Sequence, residues 1–149
     1  MKKMPKNIGF IGLGLIGGSI AKAVRHFYPG IHIVAASSRK ETVELALSEN
    51  LIDEGCTEIG NAFSKCDYIF LCAPVSCNAK YLSDLKTIIK KDCIITDVGS
   101  TKTDIHTRVI QLDMEENFIG GHPMAGSEKT GLENSKRHLI ENAYYVITP

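Results

Sequence analysis

A surplus of charge of either sign is the first thing this chain lacks: among its 149 residues, 17 Lys and Arg stand against 17 Asp and Glu. Without net charge there is no electrostatic footprint for nucleic acid or an anionic membrane, so an anionic ligand has to be met by local geometry. Long apolar runs are missing too, which argues against a membrane helix, and the basic start MKKMPKN leads into a β-type segment instead of a signal core. We therefore expect a cytoplasmic protein with no nucleic-acid and no membrane partner. Cysteine is sparse. Cys56, Cys66, Cys72, Cys77 and Cys93 make an odd set of 5 with no C-x-x-C pair and no His–Cys spacing suited to zinc. They read as reduced, mostly buried small hydrophobes, and no metal site is expected. Repeats, low-complexity tracts and linkers are also absent, and 44% hydrophobic with 23% charged residues suits a single globular domain over residues 1–149.

What is present is organised around NIGFIGLGLIGGSIAKAV, Asn7 to Val24. Ile8, Phe10 and Ile11 precede the glycines and predict a buried parallel strand. Gly12, Gly14 and Gly17 form G-x-G-x-x-G, in which the first glycine permits a tight turn, the second lets a pyrophosphate approach the backbone, and the third seats the next helix close to the strand. Leu15 and Ile16 open that helix, whose apolar face is predicted to be Ile16, Ile20, Ala23, Val24 and Phe27. Its free N–H groups and positive dipole end make an anion site that needs no basic side chain. A second strand at Ile31–Ala36 completes a βαβ unit, and a dinucleotide phosphate is the natural occupant.

Ser37 falls 20 residues after Gly17, where an NAD site places an acid, and no acid is there. Ser37, Ser38, Arg39 and Lys40 supply hydroxyls and positive charge suited to a 2′-phosphate, which predicts NADP over NAD, although a solvated helix start also accounts for the basic pair. A helix over Glu41–Asn50 with Val43, Ala46 and Leu47 inward, and a loop with a short helical turn over Leu51–Lys65, follow. Tyr68–Ala73 reads as a buried strand stopped by Pro74, so that Ala73 and Pro74 border the ligand crevice or simply end the strand. The pattern then predicts a helix over Asn78–Ile89, a strand over Cys93–Val98, and a helix with Ile105, Val109 and Leu112 on one face. Ser100 or Thr101 suits the cap of that helix, and the position at a strand's C-terminal end also suits the crevice. Phe118–Gly120 reads as a short strand, Gly121–Gly131 as a turn-rich segment, and Tyr144–Thr148 as a last strand. The fold class is α/β, a Rossmann-type doubly wound, mainly parallel sheet with helices on both faces.

The candidate for proton chemistry is His122, since an imidazole can take a proton as a hydride leaves, while a histidine beside a proline is also a common structural arrangement. His26, His32, His106 and His138 have no motif around them.

GLGLIGGSIAKAV, LCAPV, DVGSTK and above all GHPMAGSEKTG resemble the prephenate and arogenate dehydrogenases over essentially the whole chain. The resemblance implies oxidative decarboxylation of a cyclohexadienol in tyrosine biosynthesis, with hydride passing to a nicotinamide. It implies that His122 hydrogen-bonds the substrate hydroxyl, that Ser100 lies beside this histidine and the nicotinamide, and that Glu128, with Ser127 and Lys129 as neighbours, belongs to a polar gate near the substrate. The Ser37–Arg39 stretch resembles the NADP-using members. Such enzymes carry a further all-helical domain that forms a homodimer and supplies an arginine for the substrate's ring carboxylate, and nothing in residues 1–149 matches it. The expectation is a cofactor domain, monomeric, that binds NADP and turns over little alone. Other readings are an NADP oxidoreductase of the β-hydroxyacid or imine-reducing type, and a non-catalytic nucleotide sensor.

Overall fold

The computed structural model describes residues 3–148; Met1, Lys2 and Pro149 lie outside them. In chain order the elements are β1 (Asn7–Ile11), α1 (Leu15–Phe27), β2 (His32–Ala36), α2 (Lys40–Ser48), β3 (Glu54–Cys56), β4 (Tyr68–Leu71), α3 (Val75–Lys86), β5 (Ile94–Asp97), α4 (Thr103–Gln111), β6 (Phe118–Pro123) and β7 (Tyr145–Thr148), with short 3₁₀ turns between some of them. The strands form one 7-stranded sheet in the order β3-β2-β1-β4-β5-β6-β7. All neighbours run parallel except β6 and β7. Chain order therefore reverses between β1 and β4, and at that reversal the connections leave in opposite directions and open a crevice at the strands' C-terminal ends.

Two cores cover the two faces, as expected for a doubly wound sheet. On one, Ile11, Val34, Ile69, Leu71 and Ile95 meet Leu82 and Leu85 of α3 and Ile105 and Val109 of α4. On the other, Ile8, Phe10, Ile33 and Ala35 meet Ile20 and Ala21 of α1, Ala46 of α2 and Leu132 of the β6–β7 connection. Phe10 and Phe70 stack across β1 and β4 with ring centroids 5.2 Å apart. Among the described residues no helix is long and apolar enough to cross a membrane.

Several elements differ from their sequence reading. Residues Leu51–Lys65 contain β3 as well as a 3₁₀ turn at Asn61–Phe63. Glu54–Gly55–Cys56 carries no apolar alternation because an edge strand needs only the backbone pairing that Val34–Ala36 offers it. α3 starts three residues earlier than expected, directly on Pro74, and ends at Lys86. β6 continues through Gly121, His122 and Pro123, because β7 pairs with it there, His122 opposite Val146. Neither Ser100 nor Thr101 caps α4; Lys102 holds that position. Phe27 and Leu47 are exposed, since α1 buries its small first turns, Gly17 to Ala21, and α2 turns Val43 and Ala46 inward. Of the cysteines, Cys66 and Cys93 are buried and the other three half-buried, all of them free. Burial pushes the Cys66 and Cys93 thiols up to about 12, so both stay protonated at neutral pH.

One buried polar group breaks the pattern. Asn78 is 1% exposed. Its Nδ2 donates a long 3.5 Å bond to the Leu71 carbonyl, which already accepts from Val98 N–H at 3.2 Å. Asn78 Oδ1 has no partner among the described residues. Leucine has the same branching without the orphaned oxygen, and Leu71 O keeps its backbone donor. Asn78→Leu is therefore expected to raise the thermal midpoint by about 2–4 °C, roughly 1 kcal/mol, and a lowered midpoint in a thermal melt would show that the site cannot take the apolar branch.

Candidate functional site

The C-terminal ends of the strands deliver the candidate residues to one edge of the sheet. Directly after β1, Gly12 has φ +96° and a Cβ there would sit 2.7 Å from Ala73 N, so the turn needs glycine. A Cβ on Gly17 would lie 2.4 Å from Gly12 O and 2.8 Å from Cys72 Cβ, which is the close helix-to-strand contact read from the motif. A Cβ on Gly14 would meet nothing within 4 Å. That open space lies where the fingerprint places a pyrophosphate. Gly14 is also the N-cap of α1, without a side-chain cap bond and without an acid in the first turn. The helix's leading N–H groups and dipole are thus left to an anion from outside.

A cavity of about 700 Å³ runs along this edge, lined among others by Gly12, Gly14, Ser38, Arg39, Ala73 and Pro74. Ser37 lines it as well, and its Oγ accepts from Arg39 N–H at 3.4 Å. The Arg39 side chain has no ion-pair partner among the described residues. Leu15, Ile16 and Gly17 do not line the cavity; they sit in the first turn of α1. Lys40 does not line it either, and pairs with Glu44 at 3.8 Å on the exposed side of α2. The cavity has further walls that the sequence did not announce. Thr57 and Glu58 follow β3, Cys77, Lys80 and Asp84 come from α3, and Glu133 comes from the β6–β7 connection.

Ser100, His122, Ser127 and Glu128 lie outside this cavity's lining. Ser100 is exposed after β5, and His122 is half-buried in β6, with its Nδ1 3.3 Å from Val98 O. A carbonyl only accepts, so in the neutral ring Nδ1 carries the proton and Nε2 is left with a free lone pair. Ser127 and Glu128 are exposed in the connection, where Ser127 Oγ accepts from Lys129 N–H at 3.2 Å.

Beneath Ser100 and His122 lies an ion pair absent from the sequence reading's site residues. Asp97, its side chain 2% exposed, pairs with Lys102 at 2.7 Å. The carboxylate accepts from Gly99 N–H at 3.3 Å and Gly121 N–H at 3.1 Å. Lys102 donates to Gly99 O at 2.6 Å and also to Gly121 O. The Tyr145 ring covers Gly121, where a Cβ would be 2.5 Å from Cε1, and its hydroxyl donates to Asp97 O at 3.4 Å. Burial pushes that phenol up to about 12, and burial beside Asp97 pushes the Cys72 thiol up as well. Both are therefore neutral at physiological pH. Asp97 and Lys102 both lie in DVGSTK, but a motif does not tell which of its members face inward.

A switch-point crevice and a glycine turn with an uncapped helix start define the class: a Rossmann-type dinucleotide-fold domain. The family follows from comparison. Residues 20–149 match the model described as prephenate dehydrogenase, nucleotide-binding domain, and the chain belongs to that family. It is 41% identical over 146 residues to a Lactococcus lactis prephenate dehydrogenase, covering 96% of this chain and 41% of the relative. Among solved structures, prephenate dehydrogenase from A. aeolicus in complex with hydroxyphenyl propionate and NAD+ superposes with a TM-score of 0.90 at 33% identity, covering 99% of this chain and 51% of the other. Synechocystis arogenate dehydrogenase does so with a TM-score of 0.87 at 36% identity, covering 96% and 50%. The chain thus spans 41% of the length of the curated relative and about half of the solved ones.

The glycine geometry separates folding from ligand access. Gly17→Ala forces a Cβ onto backbone and is expected to cost about 1–3 kcal/mol. Gly14→Ala enters open space and is expected to cost less than about 1 kcal/mol. Urea unfolding of the two variants checks this, and equal losses would contradict the assignment of Gly17 as the contact glycine.

Proposed function

We propose that this chain is the cofactor-binding part of an NADP-dependent dehydrogenase that oxidatively decarboxylates prephenate or arogenate in tyrosine biosynthesis. The observation that carries the cofactor part is the open, uncapped glycine turn at the head of the 700 Å³ cavity, with Ser37, Ser38 and Arg39 along the same wall. Gly12 and Gly14 border the pyrophosphate, with Leu15, Ile16 and Gly17 contributing backbone N–H groups from the first turn of α1. Ala73 and Pro74 flank the dinucleotide from the other side of the crevice. The preference for NADP is supported by Arg39, whose guanidinium has no ion-pair partner among the described residues, and by the absence of an acid from Ser37 to Lys40. Lys40 adds charge at longer range.

A bound nicotinamide supplies the hydride acceptor. The chain's own part is proton handling: with Nδ1–H given to Val98 O, His122 Nε2 accepts the proton of the substrate hydroxyl as hydride leaves the carbon bearing it. Loss of carbon dioxide makes the ring aromatic, so the overall step runs strongly downhill. In this reading Ser100 hydrogen-bonds beside His122, and Ser127 and Glu128 line the substrate's approach. The substrate's carboxylates need a cation, and the ammonium below His122, that of Lys102, is already taken by Asp97. The chain alone is therefore expected to bind nucleotide and to turn over little.

Equilibrium titration with NADP and with NAD tests this reading. NADP is expected to bind at least about tenfold more tightly, a margin of roughly 1.4 kcal/mol, and Arg39→Ala is expected to erase the difference. Tighter NAD binding would keep the dinucleotide reading and overturn the ribose assignment; binding of neither would overturn both. His122→Asn is expected to leave both affinities within about twofold, since His122 lies off the cavity that holds the nucleotide's adenosine and pyrophosphate.

A further inference from the structure

The ion pair between Asp97 and Lys102 holds more than the end of a strand. Gly99 and Gly121 sit in different chain segments, 22 residues apart, and each directly precedes a residue proposed for the chemistry, Ser100 or His122. Both glycines have both backbone groups engaged by the same pair. Their N–H groups go to the Asp97 carboxylate, at 3.3 and 3.1 Å, and their carbonyls receive the Lys102 ammonium.

Peptide planarity turns these four bonds into control of four planes. The Gly99 N–H shares its plane with the Val98 carbonyl, and that carbonyl is the acceptor for His122 Nδ1. Asp97 Oδ2 therefore fixes, through one rigid peptide, the group that sets the imidazole's tautomer. The Gly121 carbonyl shares its plane with the His122 N–H, and the Gly99 carbonyl shares its plane with the Ser100 N–H. Lys102 fixes both. Gly99 lacks a side chain where the pair comes in, since a Cβ there would stand 3.2 Å from Asp97 Oδ2; a Cβ on Gly121 would enter the Tyr145 ring that covers it. A buried ion pair stabilises little by itself once desolvation is counted. Its use here is geometric, with the two other protons of Lys102 and two further lone pairs of Asp97 spent on backbone that leads into His122 and Ser100.

We infer that Asp97 and Lys102 are positioning residues that lock His122 in the Nδ1–H tautomer and hold Ser100 in register with it, without touching substrate. The inference takes its catalytic meaning from the proposed role of His122, while the lock itself is a property of the chain as it stands.

The test is ring ¹⁵N NMR of His122 and amide hydrogen exchange at Gly99 and Gly121, in the wild-type chain, Asp97→Asn, Lys102→Met and Lys102→Arg, each titrated with NADP. In the wild type the Nδ1–H tautomer is expected to predominate. Asp97→Asn and Lys102→Met are expected to shift the tautomer ratio at least about threefold towards Nε2–H, since the bond from Nδ1 sets it. Exchange at both glycines is expected to quicken about tenfold, with NADP affinity kept within about threefold because the Gly12–Arg39 end is untouched. Lys102→Arg, which keeps the charge, is expected to return the ratio part of the way. Unchanged tautomer and exchange in variants that still bind NADP would overturn the inference. If Lys102→Met fails to fold, Asp97→Asn, nearly isosteric, carries the same comparison. A wild-type chain that binds no nucleotide would overturn the proposed function, and the tautomer and exchange data would still decide the lock.

Discussion

Because chain order reverses between β1 and β4, the loops after these two strands leave in opposite directions and cannot close over the gap between them. Everything placed at the site depends on that constraint. The glycine turn after β1, the Ser37–Arg39 corner after β2 and the Ala73–Pro74 step after β4 surround one cavity because their strands are neighbours around the reversal. Ser100 and His122 follow on β5 and β6, further along the same edge. A parallel sheet makes this possible by ending all those strands on one side, and it requires the helices that bury both its faces.

The two halves of that edge are built by different physics. At the β1–β2 end the working groups are the free N–H groups of α1, the open space over Gly14 and the Arg39 side chain, all left for something else to come close. At the β5–β6 end the groups are already paired: a buried carboxylate and a half-buried ammonium lie beneath the strand ends and satisfy each other and the backbone around them. The β6–β7 connection ties the halves together. Leu132 packs into the core beside α1, Ser19 Oγ accepts from Lys136 N–H at 3.0 Å, and Lys22 donates to Ser135 O at 2.8 Å. The segment that begins with His122 therefore returns to the glycine turn and puts Glu133 into the cavity wall.

The βαβ unit was legible in the sequence because a buried strand, a glycine turn and an amphipathic helix each leave a local pattern. So were β4 and β5, whose alternate residues Ile69, Leu71 and Ile95 are buried within the short apolar runs YIFL and CII. β3 was not, since an edge strand of three residues is held by its neighbour's backbone and leaves no periodicity. The reach of β6 through His122 was hidden for a related reason: only the pairing with β7, more than 20 residues later, makes GHP a strand. Within the site, Gly12, Gly14 and Ser37–Arg39 line the cavity, whereas Lys40 faces the outside of α2 because the helix begins there. Asp97 and Lys102 were visible as letters in DVGSTK. That they meet each other, and two glycines 22 residues apart, is a fact of tertiary packing.

The central claim is that both ends of this edge serve one dinucleotide, its adenosine end at Ser37–Arg39 and its reactive end at Ser100 and His122. Amide chemical-shift mapping of the chain during NADP addition tests that most directly. The account predicts saturable shifts at Gly12–Gly17, Ser37–Arg39 and Ala73 that extend, with the same apparent affinity, to Ser100 and His122. Shifts confined to the Ser37–Arg39 corner, with Ser100 and His122 unmoved at saturation, would contradict it.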